Sequence, residues 1–431
     1  MSREIWGVGT ALFVVAAAGS AMAQQAAAGR SLNVTVQAMV EHDTNLTRES
    51  PSQAALSNLT PEDTVYSPSL TVNYSMPVGR QALFFNGSTS YLFHEKNTRL
   101  NDSRVNLGAG GVLALGPCHT TLSGGYARGR SELNDPAALL VASGAPTSTA
   151  PGVPGINNNN LESTILNIQT TETADLSLSC SRPSGLGVIA DVGQVWTSNT
   201  QVTASNASSR TTHSSAGVSY QRPAFGSLAL TGTYSKTENG DRLLPAFTPD
   251  GYETTGVDLS FTRKLGGRIE ASATVGYTHA HTDPPAIVTP TTSLAGDFNG
   301  LTYSGYVTYR ATSRLHARAA FQRQVTPTLL AGSSYEIQQA YTAELDYQVG
   351  SRIALSLIGN REENESPGAI VIPTAPTLTK SRVNSLSASA TYTMSRRLSL
   401  QLAATREERT ANAAQFNYDN DRVALTLTST F

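Results

Sequence analysis

The sequence runs to 431 residues, with 30 Lys and Arg against 32 Asp and Glu and a formal charge of -2. That balance gives no global electrostatic pull toward nucleic acid. With a mean hydropathy of -0.19 and no long, continuously apolar stretch beyond the N-terminus, a helical membrane protein is excluded; one in which only every second residue faces lipid is not.

At the N-terminus, Arg3 precedes an apolar stretch from Val8 to Ala18, and Ala21-Met22-Ala23 stands before Gln24-Gln25. This predicts a secretory signal peptide over residues 1–23, cut at the small residues, and a mature domain over 24–431. The apolar core is shorter than the roughly 20 residues a spanning helix needs.

Period-two alternation then begins, with apolar residues at Leu32, Val34, Val36, Ala38 and Val40, and again at Tyr66, Leu70, Val72, Tyr74 and Met76. It continues through Leu83, Phe85, Tyr91 and Phe93, then Val105, Leu107, Ala109, Leu113 and Leu115, and much later Leu386, Ala388, Ala390, Tyr392 and Met394. Counted along the chain, such runs predict an all-β, transmembrane antiparallel barrel of about eighteen strands, with roughly sixteen as the alternative.

Tight polar turns recur after Tyr309, Tyr347 and Tyr392, each followed by a restarting alternation. Longer segments rich in Pro, Gly, Ser, Thr and Asn fall between them, the largest being Ser131 to Asn160, Lys236 to Gly251, Thr282 to Gly300 and Arg361 to Lys380. The asymmetry predicts short periplasmic turns and long extracellular loops. Tyr74, Tyr220, Phe261, Tyr309, Tyr347 and Tyr392 precede short turns, whereas Tyr91, Tyr126, Trp196, Tyr234, Tyr277 and Phe321 lie near long loops. Two aromatic belts are expected, one at each interface.

The other parity carries small polar groups, among them Asn73, Asn86, Ser88, Ser90, Asn106, Ser260, Thr274, Ser304, Ser356, Ser387, Ser389, Gln401, Thr426 and Thr428. These are expected to line a water-filled bore. Asp258, Glu270, Arg310, Arg318, Glu344, Asp346 and Arg352 fall on the same face and are the candidate pore-lining charges. They form either a polar constriction or cross-strand ion pairs that brace the wall. No ladder of one sign is evident, which predicts a solute that is neutral or of moderate charge.

Cys118 and Cys180 both lie beside predicted periplasmic turns. If the strand starting near His119 pairs with the one ending near Ser179, the sulfurs meet on one face, making a candidate disulfide in an oxidising compartment; two free thiols held apart by register are the alternative. Of the seven histidines only His279-Ala-His281, with Asp283 beyond, is closely spaced. A third metal ligand is missing, so two loop-edge imidazoles in water are the expectation, with no metal. Glu41-His-Asp-Thr-Asn45 and Asp419-Asn-Asp-Arg422 have no defined ligand spacing and read as solvated loops. No phosphate loop, nucleophile elbow or metalloprotease motif is found, so neither an enzyme nor a cofactor is expected.

The sequence closes with Val423, Leu425, Leu427 and Phe431 on one parity. This resembles the last strand of Gram-negative outer-membrane barrels, which implies that Phe431 is an assembly signal read by the barrel-assembly machinery. Together with Val40-Glu-His-Asp-Thr-Asn-Leu46, the repeated Tyr-turn-Arg-Leu hairpins and the terminal VALTLTSTF, it is similar to the outer-membrane β-barrel porins often encoded with exopolysaccharide genes. The resemblance implies a place in the outer membrane among its lipids and a conduit for secreted polysaccharide or small polar solutes, working with periplasmic polysaccharide-export components. A structural or adhesive barrel is the alternative. It would act through long loops in which Leu139-Leu-Val141 and Ala369-Ile-Val-Ile372 place apolar residues. An outer-membrane enzyme is the third reading.

Overall fold

The computed structural model describes residues 30–46, 48, 59–130, 168–180, 185–200, 208–243, 249–282, 297–327, 335–366, 379–412 and 414–431. The expected signal peptide and the segments 131–160, 139–141 and 369–372 lie outside the described residues.

Eighteen strands follow one another in the chain. They are β1 (Ser31–Asp43), β2 (Asp63–Val78), β3 (Gln81–His94), β4 (Asp102–Leu115), β5 (Cys118–Arg130) and β6 (Ile168–Cys180). Next come β7 (Gly185–Asn199), β8 (Ser209–Arg222), β9 (Gly226–Leu243), β10 (Pro249–Leu265), β11 (Ile269–Thr282) and β12 (Phe298–Arg310). The last are β13 (Leu315–Pro327), β14 (Tyr335–Val349), β15 (Ile353–Glu365), β16 (Lys380–Thr393), β17 (Leu398–Ala411) and β18 (Tyr418–Thr430). Each pairs antiparallel with its chain neighbours, and β1 pairs with both β2 and β18, so the sheet closes on itself. Closure removes every edge, and with it every row of backbone groups that lipid could not satisfy.

Even-numbered strands from β2 to β16 are joined to the next strand by short turns at one rim, as in Val78 to Gln81 and Val349 to Ile353. The second of these turns holds Gly350 at φ +70°, a conformation that a side chain disfavours. Longer connections gather at the opposite, outer rim.

Two chemistries alternate along each strand. Val40, Leu425 and Leu402 stand side by side on adjacent strands and face outward, as do Leu345, Leu357 and Ala388. The six aromatics near short turns and the six near long connections all take the outward parity, which gives the two expected belts. Outward charges cluster at the outer end, where Arg210 lies opposite Trp196 and Arg361 opposite Tyr341. There a charge escapes the penalty it carries at mid-bilayer.

The expected loop from Lys236 to Gly251 is largely hairpin. β9 and β10 stay paired from Ser227 and Thr262 as far as Leu243 and Pro249, with one irregularity between Pro249 and Asp250. Likewise Arg361 to Glu365 belongs to β15 and Phe298 to Gly300 to β12. Once a strand passes the aromatic belt both its faces meet water, so the hydrophobic period that marks it in sequence disappears.

Candidate functional site: the barrel lumen and its outer mouth

Hydroxyl and amide side chains on the inward parity meet across strands. Ser260 and Thr274 are 2.9 Å apart, as are Thr262 and Ser272, while Thr278 and Thr302 are 3.0 Å apart. Further round the wall, on β14 to β17, Thr342 donates to Asn360 (2.7 Å) and Asn360 to Ser385 (3.3 Å), and Ser387 meets Thr405 at 2.8 Å. Near the seam Gln37 bridges Thr428 and Ser69. Each such pair holds two small polar groups against the wall.

Among the candidate charges, Asp258, Glu270, Arg318, Glu344 and Asp346 have the inward parity. Arg318 stands between Thr308 and Glu344 in the register, and its guanidinium lies over the Tyr306 ring at 5.3 Å. Tyr306 in turn donates to Glu270 at 2.9 Å. Asp346 is opposite His316. Arg310, the exposed last residue of β12, keeps the inward parity and stands opposite His316 at the short-turn mouth of the bore. Arg352 departs from the expectation: it is in the turn before β15, so the alternation had been carried past the strand end, where the turn breaks it.

Three lumen-facing residues that sequence reading had left unconnected form a buried ion cluster. His213 Nε2 on β8 lies 3.2 Å from Asp175 Oδ1 on β6 and 3.4 Å from Asp191 Oδ1 on β7. Gly193 stands in the register between Asp175 and His213, and a Cβ there would fall 2.2 Å from Asp175 Oδ1 and 2.5 Å from the imidazole. The glycine is what lets the charged groups meet over β7.

At the outer mouth the described residues that follow β1 and precede β2 lie against the inner wall. Thr44 and Asn45 bond to β18: Asn45 N–H donates to Asn420 Oδ1 (3.1 Å), and Asp421 N–H donates to Thr44 Oγ1 (2.9 Å). Arg48 then reaches the inward-facing Glu407 of β17, Nε to Oε1 2.8 Å, with the two side chains 12% and 13% exposed. Glu407 also accepts from Tyr418 (2.7 Å) and pairs with Arg422 (3.4 Å). Burial opposes the charge on Arg48, but Glu407, Tyr418 and Asp43 outweigh it and raise its pKa above the ordinary arginine value. On the other side Leu46 and Leu59 are buried against Val65, Leu92 and Leu100. Asp63, at the start of β2, caps the next connection by accepting from the amides of Lys96 (2.9 Å) and Asn97 (3.1 Å). The two segments expected to be solvated loops are therefore paired strand ends; Asp43 and Asn420 are 2% and 1% exposed.

His279 and His281 lie on β11 with their rings stacked, on the outward parity. His279 pairs with Asn299 (2.7 Å), and His281 donates to Asp297 (2.9 Å), a hydrogen bond that holds the Asp297 carboxyl below the usual range. Asp283 lies outside the described residues. Among the described residues no group of three His, Cys, Asp or Glu converges as a metal-ligand set. Cys118 and Cys180 are opposed in the β5–β6 register and joined by a disulfide at the short-turn rim.

A closed antiparallel barrel of eighteen strands, apolar outside and hydroxyl-lined within, is of the porin class of membrane proteins. The chain belongs to the family described as "Putative beta-barrel porin 2", whose model matches residues 196–431. Among solved structures it is similar to Pseudomonas aeruginosa OccK2 (OpdF), at 11% identity and TM-score 0.47 over 93% of this chain and 98% of that one. A BenF-like porin from Pseudomonas fluorescens Pf-5 gives 11% and 0.47 over 93% and 99%. The FrpB iron transporter of Neisseria meningitidis gives 11% and 0.49 over 92% of this chain and 66% of that one. No curated protein matches the chain.

Proposed function

We propose that this protein is an outer-membrane channel for hydrophilic solutes of neutral or moderate charge, with secreted polysaccharide as the leading solute class. The observation that carries the reading is the inward face, where Ser, Thr, Asn and Gln on neighbouring strands already satisfy one another, as in Ser260 with Thr274 and Thr342 with Asn360. Such a wall exchanges hydrogen bonds with a passing sugar hydroxyl without holding it tightly, which conduction requires. An eighteen-stranded wall is wide enough for an aqueous bore. The long connections at the outer rim then face the medium, and the short turns face the periplasm. Phe431, whose amide and carbonyl both bond to Val34, is the proposed signal for the barrel-assembly machinery. Periplasmic polysaccharide-export components are the proposed partners at the short-turn rim.

The test is single-channel conductance of the refolded protein in planar bilayers, titrated with oligosaccharides of increasing length. Stable openings with length-dependent block are expected. A barrel that inserts but never conducts would reject the channel in favour of a structural barrel acting through its outer connections.

A further inference from the structure

We propose that the short-turn rim carries a collar of arginines that binds the headgroup phosphates of anionic phospholipids. The collar requires the barrel and its two rims but not conduction, so it goes beyond the channel reading and stands or falls apart from it.

Charge is spread unevenly along this chain. The sum is -2, yet the belt aromatics that precede short turns are each followed by an arginine at the strand end or in the turn: Arg80, Arg222, Arg263, Arg314, Arg352 and Arg396. Arg268 and Arg397 add a second cation at two of these turns, and Arg30 stands just before β1. All of them are exposed. Among the described residues within three positions of a short turn, Glu270 is the one carboxylate side chain, and it already meets Lys264 (3.6 Å) and the Tyr306 hydroxyl (2.9 Å). Balancing acids lie elsewhere, many at outer strand ends, as Asp43, Glu253, Glu363 and Asp421 do.

Geometry favours lipid over a soluble polyanion. The Arg30 guanidinium lies over the Tyr74 ring at 5.5 Å and that of Arg222 over the Tyr220 ring at 6.0 Å. Arg263 shares the outward face of β10 with Phe261, whose ring meets Phe225 at 5.3 Å. Belt aromatics mark the boundary between hydrocarbon and water, so a cation stacked on one stands at phosphate height. A guanidinium keeps its fork of N–H donors when its face is stacked, and that fork matches two phosphate oxygens, which accounts for arginine rather than lysine at these turns. The positions also recur round the perimeter from β1 to β17. A polymer entering the bore would need them gathered at its axis, whereas annular lipids need them spread. Phosphate held at the collar would also cancel a positive field that otherwise favours anions at this mouth.

The experiment is native mass spectrometry of the full refolded barrel, released from nanodiscs of equimolar phosphatidylglycerol and phosphatidylcholine, with retained lipids of each kind counted. The wild-type barrel is expected to retain phosphatidylglycerol over phosphatidylcholine by about fivefold or more, the factor that one surface cation supplies, and loading in high salt should erode that preference. Arg314→Gln/Arg352→Gln/Arg396→Gln/Arg397→Gln, shown to be folded by heat-modifiable migration, should lose most of it, and lysine at the same four positions should keep part. Arg210→Gln/Arg361→Gln/Arg382→Gln, which removes cations from the other rim, should leave it unchanged. A wild-type barrel without preference, or one whose preference survives high salt, would overturn the collar without any variant having to fold. So would a preference that the folded glutamine variant keeps; if that variant instead loses binding of soluble polygalacturonate, the rim is a dock for an acidic polymer. Silence of the wild-type barrel in planar bilayers would reject the channel reading and leave the collar standing.

Discussion

Cys118 on β5 and Cys180 on β6 stand directly opposite one another, their Cα atoms 3.9 Å apart, and are joined by a disulfide across a sequence separation of 62. The bond closes a loop that includes the longest outer connection, which in the unfolded chain is the most expensive segment to bring together. In the chain-entropy account a loop of this length corresponds to about 4 kcal/mol.

Replacing both cysteines by serine is therefore expected to lower the urea midpoint of the refolded barrel without changing its strand pairing, with the loss approaching about 4 kcal/mol. Intact-mass analysis supplies the direct check. Without reductant no thiol should alkylate, and after reduction two should. Two alkylated thiols in the unreduced chain would dismiss the bond.

His213 is the only cation drawn in contact with both Asp175 and Asp191 among the ion pairs of the described residues, and its side chain is 1% exposed. His213→Ala leaves the buried Asp175 without its partner and is expected to cost about 3 kcal/mol, with His213→Gln recovering part of that. Gly193→Ala should act on the same contacts, because its Cβ would displace Asp175 from the imidazole. The double variant should then lose less than the sum of the singles, which urea titration of all four proteins measures. Simple additivity would mean that the glycine and the histidine act independently.

The strands were legible because lipid dictates half of each one. Leu386, Ala388 and Ala390 alternate with Ser385, Ser387 and Ser389, and no other folded environment asks for that contrast so regularly along a chain. The lumen clusters were not legible, since they depend on register and closure. Asp175 and His213 come together only because Gly193 separates them in the ladder, and Arg48 meets Glu407 across 359 residues only because β1 pairs with β18. Local composition misled at the same place. Asp43 and Asn420 look like loop residues, yet they are buried at the ends of paired strands. Arg352 shows the converse error, a turn residue counted as a strand residue because the parity happened to fit.

Adjacent residues on β18 give a sharp test of which face meets lipid. Leu425 lies outward between Val40 and Leu402, whereas Thr426 lies inward between Met39 and Gln401. Leu425→Arg is expected to destabilise the barrel by about 2 to 4 kcal/mol in lipid bilayers, the cost of a cation near mid-membrane. Thr426→Arg should stay within about 1 kcal/mol of wild type, because the guanidinium enters the lumen. Equal losses at the two positions would contradict the assigned parity.

The charges that do reach the bore favour one sign on the β10 to β14 side. Asp258, Glu270, Glu344 and Asp346 line that wall against Arg318, Arg310 and Lys264, the last 3.6 Å from Glu270, and Glu344 and Asp346 share a face two residues apart on β14. A wall with this excess draws cations into the lumen, and the effect weakens as salt screens it. Reversal potentials in a potassium chloride gradient are expected to show cation preference in the wild-type channel. Glu344→Gln/Asp346→Asn should reduce the cation-to-anion permeability ratio by about twofold, and Arg318→Gln should raise it by a similar factor. Opposite shifts from these two changes are the signature of charges that face the permeating ions. Shifts of the same sign, or none at low salt, would mean that Arg318 and Glu344 neutralise each other against the wall and leave selectivity to the outer mouth.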